Sequence, residues 1–209
     1  MPKTFTDLKR HALNGETMGT RWSALFHKPA EFNVAPVAAA MAAAVTEVDR
    51  QMSTWKPDSD LMRLNAALPG VWVECPEHLM IVLETAISIG RASSGAFDIG
   101  IGDVVSAWGF GPATADPARI QAALSEPRRP AHDVLELDLS GRRVRKTAPV
   151  TLDLSGIAKG YGVDRLTDVA RRFQISDALL SIDGELRGIG LQPDGSPWSI
   201  AIEDPDYSV

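Results

Sequence analysis

Short strand-like segments follow one another directly in two stretches of this chain, with no helix between them. Val134–Asp138, Arg143–Thr147 and Thr151–Leu154 form the first stretch, and Ala178–Ile182, Glu185–Leu191 and Trp198–Glu203 form the second. A repeat of strand, helix and parallel strand needs a crossover between neighbours, so direct succession points to antiparallel pairing. Ser140-Gly141 and Asp194-Gly195 supply turn residues between such strands. The expected fold class is α+β, with mixed but largely antiparallel sheets and packed helices.

The helices are expected between these strands. Asn33 caps one, Pro36 stands in its first turn, and Val37, Met41, Val45 and Val48 recur at helical spacing up to about Ser53. Asp58 or Ser59 caps a short helical piece. Pro76 starts another helix, with Leu79, Leu83 and Ile87 on one face and Gly95 as its stop. Further helices are expected at Gly102–Trp108, at Asp116–Ser125 with Pro117 at its start, and from about Gly156 to Phe173. Arg21–His27 and Val71–Glu74 read as strands. Residues 1–16 read as an N-terminal extension and 17–205 as one domain.

Charge and residue inventory exclude several classes of function. Lys plus Arg number 21 against 27 Asp plus Glu, a net charge of −6. A nucleic-acid binder draws its affinity from a basic surface, so no nucleic-acid partner is expected. The single cysteine, Cys75, forms no internal disulfide and reads as a small buried side chain. The four histidines are scattered without zinc spacing. The N-terminus lacks an apolar h-region and a lipobox cysteine, and the Ala-rich run from Val34 to Val45 is too short to span a bilayer. Taken literally, the chain is cytoplasmic, with no direct membrane insertion.

Four local patterns carry possible chemistry. In Leu152-Asp153-Leu154-Ser155-Gly156-Ile157-Ala158-Lys159-Gly160-Tyr161 a strand ends at a carboxylate, and a helix opens with a lysine in its first turns. Free N–H groups and the helix dipole favour an anion there. The plainer alternative is that Ser155 caps the helix and Lys159 is solvated. In Ser94-Gly95-Ala96-Phe97-Asp98, followed by Ile101-Gly102 and Trp108-Gly109-Phe110-Gly111, clustered glycines admit a ligand close to the backbone, and Phe97 and Trp108 offer flat apolar surface. The same residues also suit a loop whose aromatics fill the core. Trp55 stands in a loop after a helix, exposed to a ligand or anchoring the turn. Thr17-Met18-Gly19-Thr20 precedes the first expected strand, where a Met is ordinarily core filler.

Taken together and in order, these places resemble the FAD:protein FMN transferase family, also called the ApbE family. The matching stretches are TMGT at Thr17–Thr20, MSTWKPDSDLMRLN at Met52–Asn65, SGAFDIGIG with WGFGP at Ser94–Pro112, and LDLSGIAKGYGVD at Leu152–Asp164. ALLSIDGELRGIG and PDGSPWSIAIEDP carry the likeness to Pro205. The resemblance implies a T-fold-like architecture and cleavage of FAD, with transfer of its FMN half to a Thr hydroxyl of an acceptor flavoprotein. It also implies FAD as substrate and Mg²⁺ as cation. By position in the motifs, Met18 resembles a flavin-contacting Met and Trp55 an aromatic beside the flavin. Ala96, Phe97 and Asp98 resemble an FAD-binding triplet, and Asp153 and Lys159 further FAD contacts. Gly156 stands where the family offers a backbone carbonyl to the metal.

Two departures shape the expectation. The family continues for about one further small domain, with a His-x-x-Asp-Pro-x-Thr-Gly-like stretch and an Asp-Ala-x-x-Thr-like stretch. The second brings the metal's carboxylates and the base for the acceptor Thr. The 209 residues contain neither, so the C-terminal part of the family fold is expected to be missing, the catalytic base is unassigned, and transfer by this chain is expected to be weak or absent. A non-catalytic FAD-binding remnant is the alternative. The family's Gly-Gly-acidic turn is also Asp183-Gly184-Glu185 here.

Overall fold

The computed structural model describes residues 8–112, 114–125 and 127–201. The chain divides into two compact units, one of Met1–Ala42 with Val163–Val209 and the other of Ala43–Gly162.

The first unit contains a four-stranded sheet in the order β1-β2-β6-β7. Its strands are β1 (Leu8–Thr17), β2 (Thr20–Pro29), β6 (Ala178–Ile182) and β7 (Glu185–Ile189). All three pairings are antiparallel, with Thr17 opposite Thr20 and Trp22 opposite Ile182. Alternation explains which face is covered. Trp22, Ala24 and Phe26 are buried on β2, and Ala178, Leu180 and Ile182 on β6, every second residue in each case. Helix α1 (Ala35–Met52) begins in this unit and α7 (Ser155–Arg172) ends in it. Val37, Met41, Leu166 and Val169 add their apolar sides to its buried residues.

The second unit contains a three-stranded antiparallel sheet in the order β3-β5-β4, from β3 (Trp72–Glu74), β4 (Leu135–Asp138) and β5 (Arg143–Lys146). One face is polar but ordered: Arg143 and Arg145 lie over the Trp72 ring at 4.9 and 4.7 Å, and they pair with Asp138 and Glu136. The helices are α2 (Asp60–Ala66), α3 (Glu77–Ala92), α4 (Gly102–Ala107), α5 (Pro117–Ser125) and α6 (Ala131–Val134). Ser59 caps α2 by accepting the Met62 N–H at 3.1 Å. Pro76 precedes α3 with no side-chain cap, and the amide of Gln51 takes that place by accepting the Leu79 N–H at 3.1 Å.

The α+β class with antiparallel sheets stands, and three details of the sequence reading change. Residues 8–16, read as part of an extension, lie in β1; its polar, one-sided sequence hid an edge strand. Among the described residues Thr151–Leu154 joins no sheet; its backbone bonds to a side-chain amide and a loop instead of a strand. Described residues 198–201 form no strand, and residues 202 and 203 lie outside the described residues. The turn at Asp194-Gly195 does form, with Gln192 N–H donating to the Ser196 carbonyl at 2.8 Å. Pro197 then offers no N–H to a ladder, and the Trp198 indole folds onto Gly188 and donates to the Ile189 carbonyl at 3.0 Å.

Candidate functional site

The second unit brings together two motifs separated by more than fifty positions. Helix α3 ends with Ser94 and Gly95 in left-handed conformations, and the chain then passes through Ala96, Phe97 and Asp98 before opening α4 at Gly102. Segment 151–154 runs beside this loop. Asp153 N–H donates to the Ile99 carbonyl at 2.9 Å, and Gly102 N–H to the Thr151 carbonyl at 2.9 Å. The approach is so close that a Cβ on Gly102 would stand 2.9 Å from the Leu152 carbonyl oxygen. One turn later, a Cβ on Gly156 would stand 3.4 Å from Phe97 Cε2, so the Phe97 ring lies beside the start of α7. Phe97, Asp98, Asp153 and Gly156 therefore form one neighbourhood.

The two carboxylates already hold backbone. Asp98 Oδ1 accepts from Gly100 N–H at 2.8 Å and from Ala131 N–H at 2.9 Å, which ties the loop to the start of α6. Asp153 is only 7% exposed, and its Oδ1 accepts from Ser155 N–H at 2.8 Å. Asp153, two residues upstream, therefore satisfies the N–H of Ser155, the first residue of α7. The N–H groups of Ile157 and Ala158 donate to the Leu154 carbonyl. Several N–H groups at this helix start are thus committed within the chain. Lys159 stands half-buried in the second turn of α7.

The remaining expected residues have surroundings of their own. Trp55 is 63% exposed in the loop after α1, its N–H donating to Ser53 Oγ at 3.2 Å. Among the described residues, no hydrogen bond or ring contact joins it to the Phe97 neighbourhood. Ala96 is exposed beside Phe97. Met18 belongs to the first unit, in the two-residue turn between β1 and β2. It has φ +48° and Gly19 has φ +71°, the signature of a hairpin turn that normally excludes a residue like Met. Asp183, at φ +55°, forms a second turn at the same end of that sheet, and its N–H donates to the Arg21 carbonyl at 3.1 Å.

Sequence reasoning missed Asn65 as an individual residue. Its side chain accepts the Leu152 N–H at 2.8 Å and donates to the Leu152 carbonyl at 2.9 Å, imitating a strand neighbour. The signal was present, since Asn is a weak helix former and Asn65 lies within the last turn of α2. Lys146, a buried lysine, donates from Nζ to the Asn65 carbonyl at 2.7 Å. Burial lowers its pKa. Cys75 is buried as expected, and burial pushes its thiol up to about 11, so it is no nucleophile.

The residues near Gly156 give a partial answer on a metal. A backbone carbonyl and the Asp153 carboxylate are oxygen donors, the kind Mg²⁺ takes, but Asp153 is half engaged with Ser155. Among the described residues no group of three or more His, Cys, Asp or Glu is arranged to hold a metal ion. These residues alone do not fit a complete Mg²⁺ site. An open groove between α3 and β4, lined by Ile87, Arg91, Leu135 and Leu137, contains none of the expected site residues. Among the described residues no helix is long and apolar enough to cross a membrane.

Comparison with known proteins follows the same lines. The sequence model described as the ApbE family matches residues 18–209. The FAD:protein FMN transferase of Vibrio cholerae serotype O1 is 34% identical over 196 residues, covering 92% of this chain and 58% of that relative. The protein of the same name from Klebsiella pneumoniae is 34% identical over 200 residues, covering 92% of this chain and 57% of that relative. The solved structure of the flavin transferase ApbE from Vibrio cholerae superimposes with a TM-score of 0.84 at 30% identity, over 95% of this chain and 65% of that one. The chain thus spans less than two thirds of the length of each.

Proposed function

The chain belongs to the ApbE family, and on that premise we propose that it binds FAD and acts in transfer of the FMN half to a Thr hydroxyl of an acceptor flavoprotein. In that reaction the Thr oxygen forms a bond to the FMN phosphorus, the pyrophosphate P–O bond to the AMP half breaks, and AMP leaves. The positive end of α7 and Lys159 face the pyrophosphate charge, which is where such a transfer needs stabilisation. Phe97 and Trp55 give planar surface to the rings. Asp153 orients the ribose or adenine side, Ala96 and Asp98 shape the same wall, and Met18 contacts the flavin. Mg²⁺, with the Gly156 carbonyl as one ligand, belongs to this proposal and needs further ligands beyond those described.

One observation carries the reading. The Phe97–Gly102 loop and the Thr151–Gly156 segment are hydrogen-bonded to each other directly, so the two stretches expected to touch FAD form one wall. Titration of the 209-residue chain with FAD, followed by flavin fluorescence, tests it. Saturable binding is expected, and Lys159→Ala weakens it by about tenfold, the scale of one charge-assisted contact. An unchanged affinity in that variant overturns the site.

Transfer is proposed to be weak in this chain by itself, because the Asp-Ala-x-x-Thr-like stretch occurs nowhere in its 209 residues. Incubation with FAD, Mg²⁺ and an acceptor domain, read by mass spectrometry, decides this; abundant covalent FMN on the acceptor refutes weak transfer and keeps the transferase. The small donor set at Gly156 favours a second reading, a non-catalytic FAD-binding member. Its mark is FAD affinity that is indifferent to Mg²⁺.

A further inference from the structure

We propose that Asn65 is a positioning residue for the Asp153 junction, its side-chain amide fixing the register of segment 151–154 against the 99–102 loop. The segment has no strand beside it, yet both polar groups of Leu152 are satisfied, one by each end of the Asn65 amide at 2.8 and 2.9 Å. The flanking residues bond to the loop, Thr151 through its carbonyl to Gly102 and Asp153 through its N–H to Ile99. Leu152 is therefore gripped on one side by Asn65, and its neighbours are gripped by the loop. A slip of one residue would break these bonds and move Asp153 from its place beside the 99–102 loop.

The grip is itself anchored. Lys146 Nζ donates to the carbonyl of Asn65 at 2.7 Å and reaches the carbonyl of Val150 at 3.4 Å. One buried cation thus ties together the backbone that carries the amide and the backbone that enters the gripped segment. A side-chain amide accepts through its oxygen and donates through its nitrogen in one planar group, which suits the N–H and C=O of a single residue. A carboxylate of the same shape would face the Leu152 carbonyl with an oxygen and repel it. The link from this register to FAD rests on the proposed function; the register itself does not.

The test compares Asn65→Asp with the unmodified full chain. Amide hydrogen exchange is read at Gly102 and Asp153, whose N–H groups bond between the segment and the loop and not to Asn65. Their exchange is expected to quicken by roughly tenfold, the factor one ordinary hydrogen bond sets, while amides in α3 keep their rates. FAD affinity falls by a similar factor. Val48→Ala, a core truncation on α1, serves as a control that lowers the melting temperature at least as much without moving FAD affinity. Unchanged exchange at those two amides overturns the proposal. So does a quickening spread evenly over the unit, which is what simple loss of packing gives. If Asn65→Asp does not fold, Lys146→Met is read in the same way and must show the same local pattern. A wild-type chain that binds no FAD refutes the proposed function, and the exchange result still decides the role of Asn65.

Discussion

The turn Thr17–Thr20 and the junction Leu152–Gly156 are both conspicuous in the sequence, and the structure secures them by opposite means. The turn is local. Ten consecutive pairs between β1 and β2 lead into it, and the strand ladder forces Met18 into a left-handed conformation that its side chain disfavours. The junction is assembled from afar. Its partners are Asn65, Ile99 and Gly102, and no strand lies beside it. A local hold tolerates a strained residue, because many regular bonds outweigh one poor dihedral. A long-range hold has few bonds and depends on close approach, so it tolerates little added volume. Each half of that contrast is measurable.

The largest effect is expected at the junction. Gly102→Ala places a methyl group 2.9 Å from the Leu152 carbonyl oxygen, against backbone that cannot rotate away. Overpacking of this kind costs about 1–3 kcal/mol, in spite of the better helix propensity of Ala at the start of α4. Gly160→Ala is the counter-experiment. It lies inside α7 with open space around it, and there the same change is expected to stabilise by up to about 1 kcal/mol. Urea unfolding of both variants checks the pair. Shifts of opposite sign support close approach at Gly102, and stabilisation of both would show that the junction has room to spare.

A smaller effect of the opposite sign is expected at the turn. Met18→Asn substitutes a residue that accepts φ +48°, and relief of the left-handed penalty is worth about 0.5–1 kcal/mol. The melting temperature should rise. If Met18 contacts flavin as proposed, FAD affinity should fall in the same variant, so that stability and binding move apart. A variant that gains both would leave the strain without a function to explain it.

These two regions also show what the sequence could convey. Residue alternation in β2 and β6, the proline and glycine punctuation around α3, and the strand succession that opened the argument all describe local chain geometry, and local geometry is written in neighbouring residues. β1 escaped because an edge strand with a polar sequence buries too little to leave a pattern. The residues of Thr151–Leu154 favour a strand, yet they join none. Both hydrogen bonds of Leu152 come from a single amide 87 positions earlier in the chain, and no local pattern encodes that. The expected binding residues Phe97, Asp98, Asp153 and Gly156 were legible as motifs. Their meeting at one wall, and the prior use of both carboxylates to hold backbone, were not.

The smallest expected effect joins the two kinds of hold. Glu47 forms a local cluster on α1, accepting from Arg50 at 2.8 and 3.1 Å and from Gln51 Nε2 at 2.6 Å. The other end of Gln51 caps α3 at Leu79, so a local carboxylate steadies a distant helix start. The hydrogen bond from Arg50, and then that from Gln51, bring the Glu47 carboxyl from its ordinary 4.5 down to about 2. The folded value is the lower one, so the unfolded chain takes up the proton first as acid is added. Glu47 therefore contributes stability that is fully present above pH 4.5 and is lost as pH falls toward 2. Its side chain is 43% exposed, and solvent screening limits the contribution to about 0.2–1 kcal/mol. Glu47→Gln should lower the urea midpoint at pH 7, and the gap from the parent chain should narrow between pH 4.5 and 2 and close below it. Protection of the Leu79 amide, taken against its intrinsic exchange rate at each pH, should fall over the same interval in the parent and be flat with pH in the variant. A gap that stays constant across that interval would mean that the carboxylate's charge plays no part in holding Gln51, and that the cap on α3 depends on the shape of the Gln51 pocket alone.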